Sequence, residues 1–473
     1  MIYKYILLLI FMLSLAQVRI SLLQLYYKNK PIYNMSFDTN ITNYNNDNDK
    51  RSNRNNNNGL DITLFNKSMN YLFLRYPELT MNVSVQNDKL VKTYNKQKFS
   101  CLLDNHKDAE TIQQIEYTFQ NTPFDISNEL LVKVLYLQHA NKMIFLFSDI
   151  IIDGFTILIF FKELSTIYQS LYEKRIPFLQ HIPPVSISLY SSHLDFWKNN
   201  LFPSNQFPIK VKEICSSFDE HRIPFIINND LLAYVRQRLA TLQITLFDYF
   251  TAMFHLLLYI MTHHKEITID TLFGNYEQEN IGLFNDIVLL PFSFDDPLLH
   301  SSVNDYISLF ATNLLQIKNS RISLEYLCHH LKCTNLPNIR IHFEYSNQNT
   351  DKFYRFGDAK LESNLYENSS NQIRQLLTFN VCEFQDKIEC YFSFKKKCFD
   401  NDYVEKMISV FSHLLSSENE KLSTIVNQHS HLFDYYSLLY SEKVDKRLLT
   451  YSFAGQYPDI TYSEFKNKLD QFT

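Results

Sequence analysis

Residues 142–155 read Lys142-Met-Ile-Phe-Leu-Phe-Ser148-Asp149-Ile-Ile-Ile-Asp153-Gly154-Phe155. The apolar run to Ile152 is short and rich in β-branched and aromatic residues, which suits a buried strand. Asp153-Gly154 supplies a turn at its end. From Phe155 to Glu173 the apolar positions Leu158, Phe161, Leu164, Tyr168 and Leu171 recur at helical spacing and predict an amphipathic helix. Asp149 and Asp153 therefore stand at the end of an apolar strand, beside a helix start. A carboxylate in an apolar wall must be paired, hydrogen-bonded or protonated, so a shifted pKa is expected there. Two readings follow. One is a site in which a carboxylate handles protons; the other is a strand-ending turn in which Asp153 accepts from local backbone amides.

The flanking sequence continues the strand and helix alternation. Helices are predicted over Leu60–Tyr76, Val303–Lys318 and Tyr403–Leu415, with one or two core helices in Leu231–Thr262. Strands are predicted over Met81–Tyr94, Glu266–Phe273, Ile287–Phe294, Ile339–Tyr345 and Cys390–Lys396. This pattern implies an α/β or α+β protein, with no solenoid repeat. Asn43 to Asn58 is dominated by Asn and Asp and reads as a solvated loop insertion. Pro177, Pro183 and Pro184 mark a connector.

Length and composition narrow the function. A chain of 473 residues suits two or three domains of about 150 residues. The net charge of −5 gives no basic footprint for nucleic acid. Six glycines form neither a G-x-G-x-x-G nor a P-loop, which disfavours a dinucleotide or nucleotide phosphate cradle. The seven cysteines, irregularly spaced from Cys101 to Cys398, do not resemble a disulfide scaffold and predict reduced thiols in the cytosol.

Other clusters read as structure. His263-His264-Lys265-Glu266 suits a polar turn after a core helix, because adjacent strand side chains point to opposite faces. Cys328-His329-His330 and Cys333 lie too close together for the usual zinc spacing, so no metal is expected. No G-x-S-x-G elbow supports a serine hydrolase.

In order along the chain, these segments resemble the condensation domain of nonribosomal peptide synthetases. Ser14-Leu-Ala-Gln17-Val-Arg19 resembles the family's S-x-A-Q-x-R opening, followed by Tyr33-Asn34. Arg75-Tyr-Pro-Glu-Leu79 resembles its R-H-x-x-L-R motif, with Thr80 at the last arginine. Ser148 to Gly154 occupies the place of the H-H-x-x-x-D-G signature. Leu194-Asp-Phe-Trp197 resembles an aromatic motif ending in Trp, and Ile281-Gly-Leu-Phe-Asn-Asp286 resembles I-G-x-F-V-N. Gly154, Gly274 and Gly282 each fall at a family glycine. Tyr451 to Phe465 resembles the opening of an adenylation domain, with its L-T-Y-x-E-L motif.

The resemblance implies two chloramphenicol-acetyltransferase-like lobes arranged in a V around a central tunnel. Its implied layout is an N-terminal lobe over residues 1–180, including the 43–58 insertion, and a C-terminal lobe over 190–430. A linker at 431–446 and the start of an adenylation domain at 447–473 follow. It implies amide formation between carrier-tethered acyl and aminoacyl thioesters, chiefly by positioning both reactants. Phosphopantetheine arms of carrier proteins would be substrates, with no directly bound cofactor. Peptidyl or aminoacyl carrier proteins or adjacent modules would be the partners, without nucleic acid or membrane.

The implied catalytic positions are Asp149, Asp153 and Gly154, with Ser148 at the first signature histidine. Asp286 and Trp197 are the implied substrate-binding residues, and the signature aspartate is expected to pair with an arginine. Both signature histidines are replaced, the Gly-Arg pair reads Gly274-Asn275, and the last asparagine reads Asp286. Impaired or absent catalysis is therefore expected. The alternatives are an active acyltransferase using Asp149 as base, or a secreted glycoprotein without pantetheine chemistry.

The apolar run Tyr5–Leu15 and Ser14-Leu15-Ala16 also fit a secretory leader. Cleavage after Ala16 would split the opening motif, so a buried first element and cytoplasmic residence are expected. N-terminal sequencing of the native protein should therefore retain Ser14; a mature chain starting at Gln17 would identify a leader.

Overall fold

The computed structural model describes residues 13–43, 59–177, 193–201, 219–274, 280–331, 339–345, 353–364, 375–384, 387–417, 420–433 and 461–470. Residues 44–58 of the Asn-rich insertion, Pro183 and Pro184, Asn275, Cys333 and most of the expected linker lie outside them. The N-terminal half runs α1 (Leu15–Tyr26), β1 (Asn34–Asn43), α2 (Ile62–Arg75), β2 (Met81–Gln86), β3 (Lys89–Tyr94), β4 (Leu102–Asp104), α3 (Ala109–Gln120), β5 (Val132–Leu137), β6 (Lys142–Ser148) and α4 (Thr156–Tyr172). Next come α5 (Leu194–Asn200), β7 (Glu220–Ile227), α6 (Asn229–Leu242), α7 (Leu246–Thr262), β8 (Glu266–Gly274), β9 (Asn285–Ser293), α8 (Asp296–Leu299), α9 (Val303–Asn319), α10 (Leu324–Leu331) and β10 (Ile339–Tyr345). The chain continues through β11 (Phe353–Phe356), β12 (Ala359–Asn364), β13 (Leu377–Glu383), β14 (Ile388–Lys395), α11 (Asn401–Leu414), α12 (Leu422–His429) and α13 (Tyr462–Asp470).

Two six-stranded sheets each carry a hydrophobic core. The first has the order β11-β12-β1-β6-β5-β4, the second β7-β14-β13-β10-β8-β9. Strand β6 is buried along Met143–Phe147, where Phe145 and Phe147 meet Phe160 and Phe161 of α4. In the second lobe α7 is enclosed along most of its length, because its Phe, Leu and Met residues face the core all round.

The lobes are stitched together by chain crossing between them. Hairpin β11–β12 comes from the second half of the sequence, yet β12 pairs antiparallel with β1, from Asp38↔Asn364 to Asn43↔Ala359. The loop before β9 places Ile281 in the first lobe's core. Helix α13 also packs on the first lobe, with Phe465 and Leu469 in that core.

Three sequence expectations need correction. The Met81–Tyr94 stretch is a hairpin, because Asn87 and Asp88 adopt φ of 49° and 61° and turn the chain in two residues. Strand β6 stops at Ser148; Ile150, Ile151 and Ile152 lie in the following turn, which is folded into the core and leaves each fully buried. Trp197, expected at substrate, is enclosed in the second lobe's core, and its indole N–H donates to the Ser320 carbonyl at 2.7 Å. Neither its ring surface nor its donor is left for a ligand.

The expected polar turn at His263 is present, in the left-handed conformation that ends α7. Cys101, Cys328, Cys382, Cys390 and Cys398 are buried. Among the described residues no His, Cys, Asp and Glu grouping of three or more could hold a metal. No single helix there is long and apolar enough to cross a membrane.

Helix α1 begins with a reciprocal cap. The Gln17 N–H donates to the Ser14 hydroxyl at 3.1 Å, and the Ser14 N–H donates to Gln17 Oε1 at 2.9 Å. Ser14→Ala should lower the stability of the chain by about 1 kcal/mol in chemical denaturation, through loss of this cap.

Candidate functional site

The Ser148–Phe155 turn lies where the two lobes meet. Its start is fixed by backbone pairing, with Ser148 opposite Asn34 in β1 and the Asp149 N–H donating to the Tyr33 carbonyl at 2.9 Å. The Gln17 side chain of α1 donates to the Ile150 carbonyl at 3.2 Å. Ser148 and Asp149 are both buried, at 1% and 8% exposure. Gly154 is exposed, and a methyl group there would meet no atom within 4 Å.

Asp153 is the centre of the arrangement. Its Oδ1 accepts from the Thr156 N–H at 3.0 Å, and its Oδ2 accepts from the Phe284 N–H at 2.8 Å. The first bond caps the start of α4 and the second reaches the loop that enters β9. Thr156 adds a parallel link, its hydroxyl donating to the Gly282 carbonyl at 2.8 Å. Gly282 is suited to this loop, because a Cβ there would stand 2.7 Å from the Phe284 ring. Burial drives the Asp153 carboxyl above its ordinary pKa, while the amide donors of Thr156 and Phe284 pull it down. The expected arginine partner is replaced in this arrangement by backbone N–H groups. They satisfy a carboxylate without a second buried charge.

Two residues beyond Phe284, Asp286 is the second residue of β9, opposite Phe273. It is half-buried, and its carboxyl is pushed up to about 7 by burial and by the negative charge of Glu325, against the pull of Arg321. Glu325 on α10 is 1% exposed and forms an ion pair of 2.8 Å with Arg19 on α1. This ion pair is the second charged link between lobes, and its geometry is buried on both sides.

The structure thus brings together Ser148, Asp149 and Asp153 in one turn and ties that turn to the segment preceding Asp286. Trp197 is packed elsewhere. Sequence reasoning missed Thr156 and Glu325. Thr156 carried a signal, since an Asp-x-x-Thr spacing at a helix start is a capping pattern. Glu325 carried none, because its partner is remote in sequence.

A family model described as Condensation domain matches residues 10–434. The chain belongs to the condensation-domain family. Gramicidin S synthase 2 of Aneurinibacillus migulanus is 23% identical over 431 residues, which is 86% of this chain and 9% of that protein. The chain therefore spans less than a tenth of the length of this relative. Among solved structures, the starter condensation domain of rhizomide synthetase RzmA matches with a TM-score of 0.66 at 14% identity, over 91% of this chain and 99% of that one. The X-domain in complex with OxyB from teicoplanin biosynthesis matches with a TM-score of 0.70 at 11% identity, over 91% of this chain and 96% of that one. These likenesses establish the chloramphenicol-acetyltransferase-like α/β fold of the condensation domain.

The charge pattern at Asp286 has a definite sign. A carboxyl whose pKa is higher in the folded chain than in the unfolded one binds more protons when folded between pH 3.8 and about 7. Stability from this group is therefore present at low pH and lost as pH rises through that window. Asp286→Asn should remove that loss: its thermal midpoint should exceed the parent's at pH 8, with a smaller difference at pH 5.

Proposed function

We propose that this condensation domain keeps the passage between lobes and its carrier-facing role, while histidine-driven amide formation is impaired or lost. The observation that carries this reading is the state of the signature turn. Ser148 and Asp149 occupy the two histidine positions, and the Asp153 carboxylate is fully engaged with backbone donors. A histidine titrates near neutrality, whereas an ordinary aspartate, with a pKa of about 3.9, is a weak base there. Retention of the turn without the base fits a domain that binds rather than transforms.

In this reading the partners are peptidyl or aminoacyl carrier proteins, their phosphopantetheine arms, or an adjacent synthetase module. The similarity of Tyr451–Phe465 to an adenylation opening fits such a neighbourhood, and cytoplasmic residence is part of the same proposal. The X-domain, whose fold is similar, was solved with OxyB; a condensation fold used to hold a partner is the corresponding role here.

One observation favours a second reading. Asp149, at the second signature position, is only 8% exposed. A buried aspartate with a raised pKa becomes a better general base near neutral pH. On that reading Asp149 takes the proton from the attacking amine or hydroxyl, the new C–N or C–O bond replaces the thioester C–S bond, and the pantetheine leaves as its thiol.

A purified chain supplied with acylated and aminoacylated carriers separates the two. The expected result is carrier binding with little or no condensed product, and gain of product on Asp149→His. Product formed by the parent and abolished in Asp149→Asn would establish the second reading instead.

A further inference from the structure

We propose that the groove between α1 and the β2–β3 turn is a docking site for an amphipathic helix, occupied in cis by α13, and that its seating steadies α1 against the signature turn. The inference is independent of whether the passage condenses thioesters.

Helix α13 has the design of a docked ligand. Its burial alternates with helical spacing: Phe465 and Leu469 are fully buried, while Ser463, Glu464, Lys466, Asn467, Lys468 and Asp470 are exposed. Its start is set by a reciprocal cap. The Glu464 N–H donates to the Thr461 hydroxyl at 3.2 Å, and the Thr461 N–H donates to Glu464 Oε2 at 3.1 Å. The helix therefore arrives with its first turn defined.

The groove recognises that helix by chemistry as well as shape. Asp88 sits in the left-handed β2–β3 turn. Its carboxylate Oδ1 accepts from both the N–H and the hydroxyl of Ser463, each at 2.8 Å. Its own carbonyl accepts from the Tyr462 N–H at 2.8 Å. These bonds place a carboxylate at the positive end of the helix, which the helix dipole also favours. Ser463 holds the Asp88 carboxyl below its ordinary pKa. At the other end the Tyr26 hydroxyl donates to Asp470 Oδ1 at 3.0 Å, and the Tyr26 ring meets Phe465 edge-on at 6.5 Å.

Tyr26 is the last residue of α1. The same helix carries Gln17, which bonds the Ile150 carbonyl, and Arg19, which pairs with Glu325 in the second lobe. One end of α1 thus reads the docked helix, and the other holds the signature turn and the lobe junction. This twelve-residue helix is the contiguous packed element that joins the two contacts.

The test uses hydrogen exchange on the full chain. Phe465→Asp should speed exchange in residues 461–470 by about tenfold or more, and exchange in α1 and residues 148–153 should rise with it. Asp88→Ala, which removes no core side chain, should produce a weaker change in the same segments and decides the matter if Phe465→Asp does not fold. Exchange that changes only within 461–470, or nowhere, would overturn the proposal. Neither substitution alters Ser148, Asp149 or Asp153, so that failure would leave the condensation reading untouched.

Discussion

One carboxylate organises the junction of this molecule. Asp153 is nearly inaccessible to water, and a buried charge without partners would cost several kcal/mol. Its two oxygens are directed at amides from different lobes. The cost of burial is thereby offset only when both lobes are in place, so the bond to Phe284 makes local turn geometry conditional on global assembly. Thr156 repeats the logic with a hydroxyl, bonding the Gly282 carbonyl beside it. The Arg19–Glu325 pair is different in kind. It buries both partners of an ion pair, whose desolvation cost can match or exceed their attraction, while loss of one partner would leave the other unpaired inside the protein.

Helix α1 is the element through which these links communicate. It is buried along nearly its whole length and has little amphipathic contrast, because it faces core, signature turn and second lobe at once. Its polar residues are accordingly specific: Gln17 serves the turn, Arg19 the second lobe and Gln24 the Lys30 carbonyl. Substituting Gln17 or Arg19 removes that partner from a buried group, a loss of roughly 1–3 kcal/mol by itself.

Much of this was legible beforehand, for reasons tied to particular residues. The apolar run before Ser148 announced a buried strand, and the spacing from Phe155 onward announced α4. Ordered motifs, each short, located the turn and the β9 entry segment. What stayed hidden depended on side-chain partners remote in sequence. Nothing near Glu325 points to Arg19, and nothing near Asp153 distinguishes an arginine partner from the Phe284 amide. The β2–β3 hairpin was missed because Asn87-Asp88 lacks the glycine that usually marks such a turn. Trp197 illustrates the opposite error, in which an aromatic motif was given a ligand when its surroundings made it core.

The strand exchange between halves bears on how the chain is made. The first sheet has β1 flanked by β6 on one side and by β12 on the other. Synthesis from the N-terminus produces β1 and β6 long before β12 emerges. During that interval one margin of β1 presents unsatisfied backbone donors and acceptors, the kind of surface that invites intermolecular pairing. Nascent chains stalled before residue 359 should therefore be the aggregation-prone species of this protein, and holdase capture by chaperones should be concentrated there.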